Sequence, residues 1–376
     1  MTHLRALSGS AGAAAAGAEG DPAFQDRLLE RVSRTFALTI PQLPPRLRAV
    51  VGNAYLLCRV ADTIEDDALL PAAAKRRLLE RFAALVEGGN DAGLGADLDA
   101  SLAAATPAAE RELCRDVVRV AGIAAGFPAR ERGAIARCVR IMSEGMAWFQ
   151  EQPPERRVRG RDDLDRYCYV VAGVVGEMLT ELFCLHDPRL AAQRPQLMEL
   201  ALSFGQGLQM TNVLKDVWED YRRGACWLPQ ELFRTHGVDL GRLAPGRDDA
   251  GFRGGLRELV GSAHGHLRRA LEYTLRIPAE ETGLRRFCLW ALFMAVLTLR
   301  KLARRLDYAA GADVKISRAT VRGVVLATGA AARWDWVLER LFAAAAAGLP
   351  PAAAPGAGWS PTAPPRPVQD SPVARV

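Results

Sequence analysis

The sequence predicts an all-α protein. Between residues 22 and 345, stretches rich in Ala, Leu and Arg recur at helical spacing, and the period-two alternation typical of strands is nearly absent. Of the 376 residues, 49% are hydrophobic and 24% charged, which is enough for one large core. We therefore predict one domain over residues 21–346, with a disordered leader at 1–20 and a disordered, proline-rich tail at 347–376.

About ten helices are predicted in chain order. They cover roughly residues 22–36, 46–67, 72–87, 107–123, 128–149, 162–186, 212–220, 252–276, 281–307 and 318–345. Pro41, Pro44 and Pro45 separate the first two helices. The Gly/Asn/Asp-rich segment 88–96 is expected to be an exposed loop, and Asp162 is expected to cap the helix that follows it.

The helix through residues 212–220 carries a concentration of oxygen ligands, here called the second acid motif. At 100° per residue, Asn212, Asp216, Glu219 and Asp220 fall within an arc of about 100°. Neighbouring carboxylates repel by a few tenths of a kcal/mol per pair, so such a face is favoured when a cation neutralises it. Hard oxygen ligands suit Mg²⁺, with Mn²⁺ as the alternative ion. The competing interpretation is a solvated helix face.

A similar pattern occurs earlier in the chain, at residues 62–66, here called the first acid motif. Tyr55, Arg59, Asp62, Glu65 and Asp66 share one side of the predicted helix, whereas the next residue, an Asp, points away. If the two motifs face each other across a bundle interior, their carboxylates can hold several Mg²⁺ ions and, through them, a diphosphate. The alternative is two unrelated surface clusters.

Charge and cysteine content limit the class of protein. The net charge of +6 comes from arginines spread over many helices, which fits anionic substrates or an acidic lipid surface and is too diffuse for nucleic acid. The seven cysteines include no Cys-x-x-Cys pair, which predicts reduced thiols and a cytoplasmic protein. No apolar run reaches the roughly 20 residues of a membrane span. The longest candidate, 287–299, is predicted to be a buried helix, and any membrane contact to be peripheral.

The helix around Tyr167 contains a patch of small residues. Tyr167, Val171, Val174 and Met178 are predicted to share a face, and two glycines, 173 and 176, narrow the helix nearby. Such a patch indicates either close helix packing or room for a ligand.

Four separated motifs together resemble the squalene and phytoene synthase family, the head-to-head prenyl synthases. They are Ser33-Arg34-Thr35-Phe36, Asp62-Thr-Ile-Glu-Asp66, Tyr167-Cys-Tyr-Val-Val-Ala-Gly173 and Asn212-Val-Leu-Lys-Asp216-Val-Trp-Glu-Asp220. The resemblance covers about residues 25–340. It implies a single isoprenoid-synthase helical bundle with a central cavity, in which Mg²⁺ draws off the diphosphate of a prenyl substrate.

The resemblance also implies roles for individual residues. The implied metal ligands are Asp62, Glu65, Asp66, Asn212, Asp216, Glu219 and Asp220. The implied substrate-binding residues are Ser33, Arg34, Phe36, Arg59, Val171, Ala172, Gln209, Asn212 and Lys215. The implied catalytic residues are Tyr55, Tyr167, Asp62, Asp66, Asp216 and Asp220. The implied walls of the cavity are Val171, Ala172, Val174, Leu208 and Phe287.

Tyr167 is the family's usual candidate for helping to remove the proton lost in cyclopropane formation. A tyrosine has an ordinary pKa near 10, so it is a poor base unless the diphosphate assists. A core aromatic with a satisfied hydroxyl is the alternative.

One departure from the family pattern is Ala225, where an Arg is usual. Either Arg222 and Arg223 take over its phosphate contact, or the alignment slips in this loop.

The final step of the reaction distinguishes members of the family. Val314-Lys315-Ile316, with Phe287-Cys288 upstream, is similar to the members that reduce their product with NADPH, which implies that Lys315 and Arg318 meet the cofactor's phosphates. Non-reductive condensation of two prenyl diphosphates is the alternative, and the sequence does not fix a C15 or a C20 substrate. A non-catalytic scaffold is disfavoured because both carboxylate pairs are intact.

Overall fold

The computed structural model describes residues 20–33, 35–245 and 249–353, without the side chain of residue 155. Throughout these ranges the regular structure is helical, and no strand is present. The α-helices are α1 Asp21–Val32, α2 Phe36–Thr39, α3 Pro45–Asp66, α4 Ala72–Val86, α5 Leu94–Ser101, α6 Ala108–Arg115, α7 Val117–Ala125, α8 Ala129–Glu151, α9 Pro154–Arg157, α10 Arg161–Cys168, α11 Val174–His186, α12 Pro188–Ala191, α13 Arg194–Lys215, α14 Val217–Arg222, α15 Gln230–Thr235, α16 Ala250–Arg276, α17 Thr282–Ala303, α18 Gly311–Val314, α19 Arg318–Ala331 and α20 Asp335–Ala346. Short 3₁₀ turns occupy Ile40–Gln42 and Leu240–Arg242, and a π-helical segment occupies Tyr169–Gly173. The predicted all-α fold is confirmed.

Two hydrophobic clusters form the interior. One lies among α1, α3, α4, α7, α8 and α11, and the other among α13, α14, α16, α17, α19 and α20. Helix α11 and the π-helical segment pack against α13, and α11 also packs against α3. The helices that carry the two acid motifs therefore lie on either side of α11.

The helix predicted through 162–186 is interrupted. The π-helical segment breaks the 100° spacing, so Tyr167 belongs to the α13–α16 cluster whereas Val174 and Met178 belong to the α3–α8 cluster. The prediction that these residues share one face was wrong. The expected cap at Asp162 was also wrong, because the Asp163 carboxylate accepts the backbone N–H of Gly160 at 3.3 Å.

The glycine patch serves close packing. A Cβ at Gly176 would lie 2.5 Å from the carbonyl oxygen of Ala201, and one at Gly205 would lie 2.3 Å from the carbonyl oxygen of Ala172. Small residues therefore let α11 and the π-helical segment approach α13 closely.

Two further segments differ from expectation. Residues 94–96 of the loop predicted at 88–96 belong to α5, whose Leu94 and Leu98 are fully buried. Two apolar residues one turn apart are too short a pattern to reveal a helix.

At the end of the described chain, residues 350–353 lie along α16, where the N–H of Ala353 donates to Gly261 O at 3.0 Å. The sequence predicts a disordered tail there. Residues 1–19 and 354–376 of the predicted leader and tail lie outside the described residues.

Two helical stretches, Arg161–His186 and Thr282–Ala303, are long and apolar enough to cross a membrane. More than half of each apolar window is buried inside the fold, as expected for core helices. All seven cysteines are free, and six of them are buried.

Candidate active site

The two acid motifs meet at one arginine. Arg223, just after α14, places Nη1 3.2 Å from Oδ1 of Asp66 at the end of α3. The same guanidinium donates to the carboxylate of Asp220. Motifs that are far apart in the sequence therefore face each other within the span of one side chain.

The first acid motif continues an accessible stripe along α3. Tyr55, Arg59 and Asp62 are half-buried and Asp66 is exposed, while most other residues of this helix are buried. Asp67 turns away, as predicted, and its carboxylate accepts the backbone N–H of Ala103 at 2.7 Å.

The second acid motif does not lie on one continuous helix. Helix α13 ends at Lys215, Asp216 has φ −100° and ψ 13°, and α14 begins at the next residue. The prediction of one unbroken helix through residues 212–220 was therefore wrong, although Asp216 and Glu219 both lie beside Gly311. Glu219 instead accepts the N–H of Gly311 at 3.0 Å and so faces α18, while Asp220 is buried beside Arg223.

Burial and mutual repulsion disfavour the charged forms of these carboxyls. Burial raises the pKa of Asp62 to about 7, with Arg59 opposing the shift and Asp66 adding to it. Burial, followed by the charges of Asp66 and Asp62, raises the pKa of Glu65 to about 8. Burial raises the pKa of Asp220 to about 6, although Arg223 opposes it. A bound cation would stabilise all three carboxylates.

The donor set fits Mg²⁺ in its chemistry, because carboxylate oxygens are the ligands this ion prefers. Within the described ranges, no three carboxylate, imidazole or thiol groups already lie together as a metal cluster. Arg223 is the cation that bridges the motifs. Metal binding by Asp62, Asp66, Asp216 and Asp220 would therefore involve rearrangement of these side chains around Arg223.

Tyr167 lies between the motifs. Its ring stacks on Trp227 with centroids 3.7 Å apart and meets Phe149 edge-on at 5.3 Å. Burial, followed by the negative charges of Glu65, Asp66 and Asp220, raises the pKa of Tyr167 well above its ordinary value. Since these carboxylates come from both motifs, the phenol is close to both.

Tyr55 occupies the other end of the stripe. Its ring centroid lies 4.8 Å from that of Phe36, and burial raises its pKa to about 12, partly offset by a hydrogen bond with Ser33. The Ser33 hydroxyl also accepts the N–H of Phe36 at 3.0 Å. The structure thus brings Ser33, Phe36 and Tyr55 together, while Arg34 lies outside the described residues.

Other predicted substrate-binding residues lie on the helices around α11. Val171, Ala172, Leu208 and Gln209 are half-buried, and Asn212 is exposed. By contrast, Val174 and Phe287, two of the implied cavity walls, are buried in the core cluster around α3.

Several supporting residues were missed by sequence reasoning. Gln150 donates to the Glu65 carboxylate at 3.3 Å, and Lys75 donates to the Glu65 carbonyl. Glu110 accepts from Arg59 at 2.5 Å. Arg157 lies over the Trp227 ring at 5.2 Å. Only Arg157 carries a signal in the sequence, because it is one of three arginines between residues 153 and 160.

The match to a known family confirms the resemblance seen in the sequence. Residues 29–320 match the family model described as squalene/phytoene synthase. The chain belongs to the squalene/phytoene synthase family. It is 32% identical to the squalene synthase of Eremothecium gossypii over 285 residues, or 73% of this chain and 60% of that protein. It is 28% identical to the squalene synthase of Schizosaccharomyces pombe over 291 residues, or 75% of this chain and 59% of that protein.

This chain therefore spans about 60% of the length of the curated relatives it matches. Among solved structures, a ligand complex of TcSQS is 24% identical, with a TM-score of 0.68 over 88% of this chain and 98% of that one. This likeness supports the helical fold of the squalene/phytoene synthase family.

The departure at Ala225 has a structural counterpart. Ala225 carries no charge to the site, but Arg223 two residues earlier reaches both Asp66 and Asp220. Arg222 donates to Ala309 O at 3.0 Å and pairs with Glu219 of the second acid motif at 3.9 Å. Of the two upstream arginines, Arg223 is the one that pairs with carboxylates of both acid motifs.

The segment implied to bind a nicotinamide cofactor lies next to the second acid motif. A Cβ at Gly311, the first residue of α18, would lie 3.0 Å from Asp216 Oδ1. Lys315 follows α18 and is exposed, and its carbonyl accepts from Lys301 at 2.7 Å. Arg318 begins α19, a helix of 14 residues whose N-terminus favours anions.

Proposed function

We propose that the protein joins two farnesyl diphosphates head to head, through presqualene diphosphate, and reduces the product to squalene with NADPH. The observation that carries the proposal is the pairing of Asp66 with Arg223 and of Arg223 with Asp220, which brings two carboxylate motifs to one place. The squalene synthases among the relatives support this choice of reaction.

Fixed positive charge is available for the diphosphate of the substrate. Arg59, Lys215 and Arg223 each pair with a carboxylate of the acid motifs. When a diphosphate binds, these cations gain a stronger anionic partner and stabilise the charge that develops as the allylic C–O bond breaks. Mg²⁺ bound to Asp62, Asp66, Asp216 and Asp220 would supply Lewis-acid neutralisation of the leaving group.

Aromatic rings flank the place where the allylic cation would form. Phe36 packs on Tyr55, on the accessible stripe of α3, and Tyr167 stacks on Trp227. Ring faces attract cations, by about 2 kcal/mol when the site is desolvated. These rings would shield the carbocation from water until the second prenyl chain attacks.

Tyr167 would keep its proton. Because burial and the nearby carboxylates raise the pKa of Tyr167 well above its ordinary value, its hydroxyl is a hydrogen-bond donor at neutral pH and a very weak base. Cyclopropane formation makes two C–C bonds and releases one proton. We infer that an oxygen of the departed diphosphate takes this proton, while Tyr167 donates to that diphosphate and orients it.

The reductive step would use the segment after α18. Lys315 and Arg318 are exposed cations next to a helix N-terminus, which suits the phosphates of NADPH. When bound, NADPH supplies the hydride that quenches the final carbocation. We place the protein in the cytoplasm with peripheral membrane contact, because its proposed product is a hydrocarbon.

The proposal is tested by incubating the pure protein with farnesyl diphosphate and Mg²⁺, with and without NADPH. Squalene formed only with NADPH would support it. Dehydrosqualene or phytoene as the only product under both conditions would reject the reductive step. Competition between farnesyl and geranylgeranyl diphosphate fixes the preferred chain length.

A further inference from the structure

Three large apolar side chains are exposed at one corner of the molecule. Leu326 on α19 is 73% exposed, Trp334 in the turn before α20 is 54% exposed, and Trp336 on α20 is 64% exposed. Among the described residues, Leu69 is the one other large apolar side chain with comparable exposure. Concentrating such side chains in 11 consecutive residues costs solvation free energy, which indicates a surface that is covered in use.

Arginines alternate with these apolar side chains. Arg322 is one turn before Leu326 on α19, Arg333 precedes Trp334, and Arg340 is one turn after Trp336 on α20. The inward face of α20, which includes Leu338 and Phe342, is buried against the core. The outward face therefore presents tryptophan, leucine and arginine together.

Positive charge is in excess at this corner. Arg322, Arg333 and Arg340 are exposed, and none of them has an ion-pair partner in the part of the chain that the structure describes. The Asp335 carboxylate is taken by buried Arg285 at 2.6 Å, which leaves Glu339 as the exposed acid of α20. The surface defined by Arg322, Leu326, Arg333, Trp334, Trp336 and Arg340 is therefore cationic and apolar; we call it the α19–α20 surface.

We propose that the α19–α20 surface docks on an anionic lipid bilayer. Tryptophan is favoured at the boundary between headgroups and acyl chains, and arginine is attracted to anionic headgroups there. Tryptophan and arginine are also enriched at protein interfaces, so it is the unpaired positive charge of this surface that favours an anionic bilayer.

Docking on a bilayer suits the chemistry of the site, and this step rests on the proposed function. Helix α19 starts three residues after Lys315, and α18 before it contacts the second acid motif through Gly311. Helix α19 then runs away from Gly311, because Lys301 contacts Lys315 O whereas Arg285, 16 residues earlier on α17, contacts Ala332 O at the end of α19. Docking through this surface would therefore attach the molecule to the bilayer at the far end of α19. Farnesyl chains and a hydrocarbon product partition into lipid, so such docking shortens their path through water.

The test is sedimentation of the full chain with vesicles of phosphatidylcholine alone or with about 30% phosphatidylglycerol, an anionic lipid. We expect binding to the anionic vesicles that weakens at about 0.5 M NaCl. The double variants Trp334→Ala/Trp336→Ala and Arg333→Gln/Arg340→Gln should each weaken it roughly tenfold or more. The matched control Leu69→Ala/Arg130→Gln removes an exposed apolar and an exposed basic side chain elsewhere and should bind as the wild type does.

Brominated lipids should quench tryptophan fluorescence of the wild type and not of Trp334→Ala/Trp336→Ala. Failure of the wild type to bind anionic vesicles would overturn the proposal, as would unchanged binding by both variants. If the wild type forms a dimer that these variants do not form, and does not bind vesicles, the surface instead contacts a second copy of the chain. Turnover of detergent-dispersed farnesyl diphosphate should be unchanged in both variants. Loss of vesicle binding with unchanged turnover therefore concerns docking alone, whereas absence of turnover in the wild type concerns the proposed function.

Discussion

Arg223 Nη1 lies 3.2 Å from Asp66 Oδ1, and this contact joins the end of α3 to the loop after α14. The Asp66 side chain is 54% exposed and the Arg223 side chain 41% exposed, so as a stabilising ion pair the contact is worth about 1 kcal/mol or less. Its importance is therefore in placing a cation between two sets of carboxylates.

Arg223→Gln removes this cation without removing a carboxylate. We expect diphosphate release from farnesyl diphosphate to become roughly 30-fold slower, because a charged hydrogen-bond donor to the leaving group is lost. This corresponds to an activation barrier higher by about 2 kcal/mol. The control Arg222→Gln removes the neighbouring cation, which donates to Ala309 O and pairs with Glu219 at 3.9 Å but bridges no two motifs. Equal losses in the two variants would show that the position of Arg223 is not special.

The contact between α18 and the second acid motif leaves no space for a side chain at Gly311. A Cβ there would be 3.0 Å from Lys215 O and 3.0 Å from Asp216 Oδ1. Gly311→Val should therefore displace Asp216 and lower activity at least tenfold, while Gly122→Ala on open α7 should not. Titration of inhibition by inorganic diphosphate in both variants measures whether the site itself has loosened.

Arg285 is a fully buried arginine that joins three helix ends. It donates to Ile277 O after α16 at 2.8 Å, to Ala332 O after α19 at 3.0 Å and to Asp335 at the start of α20 at 2.6 Å. Arg285→Met leaves these acceptors unpaired and should cost about 3 kcal/mol of unfolding free energy. Arg286→Met is the matched control, since Arg286 makes one long hydrogen bond, to Gly329 O at 3.4 Å. Urea denaturation distinguishes them, and similar midpoints for the two variants would contradict this account.

His266 on α16 makes the stability depend on pH. Burial, aided by the charge of Arg269, lowers the pKa of His266 to about 4 in the folded protein. The unfolded chain takes up this proton below about pH 6.5, so it binds more protons than the folded protein between about pH 6.5 and 4. Stability should therefore fall as the pH drops through this window, by up to about 3 kcal/mol.

His266→Leu should flatten this acid-side decline while keeping the buried volume. Unfolding free energies measured at several pH values between neutral and about pH 4 test it. His186→Leu, a substitution at an exposed histidine, should leave the decline in place. A decline of the same size in His266→Leu would assign the acid sensitivity to other groups.

The fold class and the pairing of the two acid motifs could be predicted because long helices and clustered carboxylates leave strong local patterns. Asp62, Asp66 and Asp220 could be named from spacing alone. The direction of Glu219 could not, because the helix breaks at Asp216 and the 100° count applies only to unbroken helix.

Other features depend on contacts between distant segments. The π-helical segment that separates Tyr167 from Val174 has no simple composition signal. Lys75 and Gln150 support Glu65 from two other helices, and nothing near them in the sequence indicates that role. Arg223 could be named only as one of two candidates, since the choice between neighbouring arginines depends on where the loop after α14 turns.

The central claim is that the two acid motifs act on one diphosphate. The most direct test is Mg²⁺-dependent diphosphate release from farnesyl diphosphate by Asp62→Asn, Asp216→Asn and the double variant, with helicity checked by circular dichroism. We predict that each single variant loses at least about 100-fold, and that the double variant is little worse than either, because both motifs belong to one unit. A wild-type rate in either helical single variant would contradict the claim.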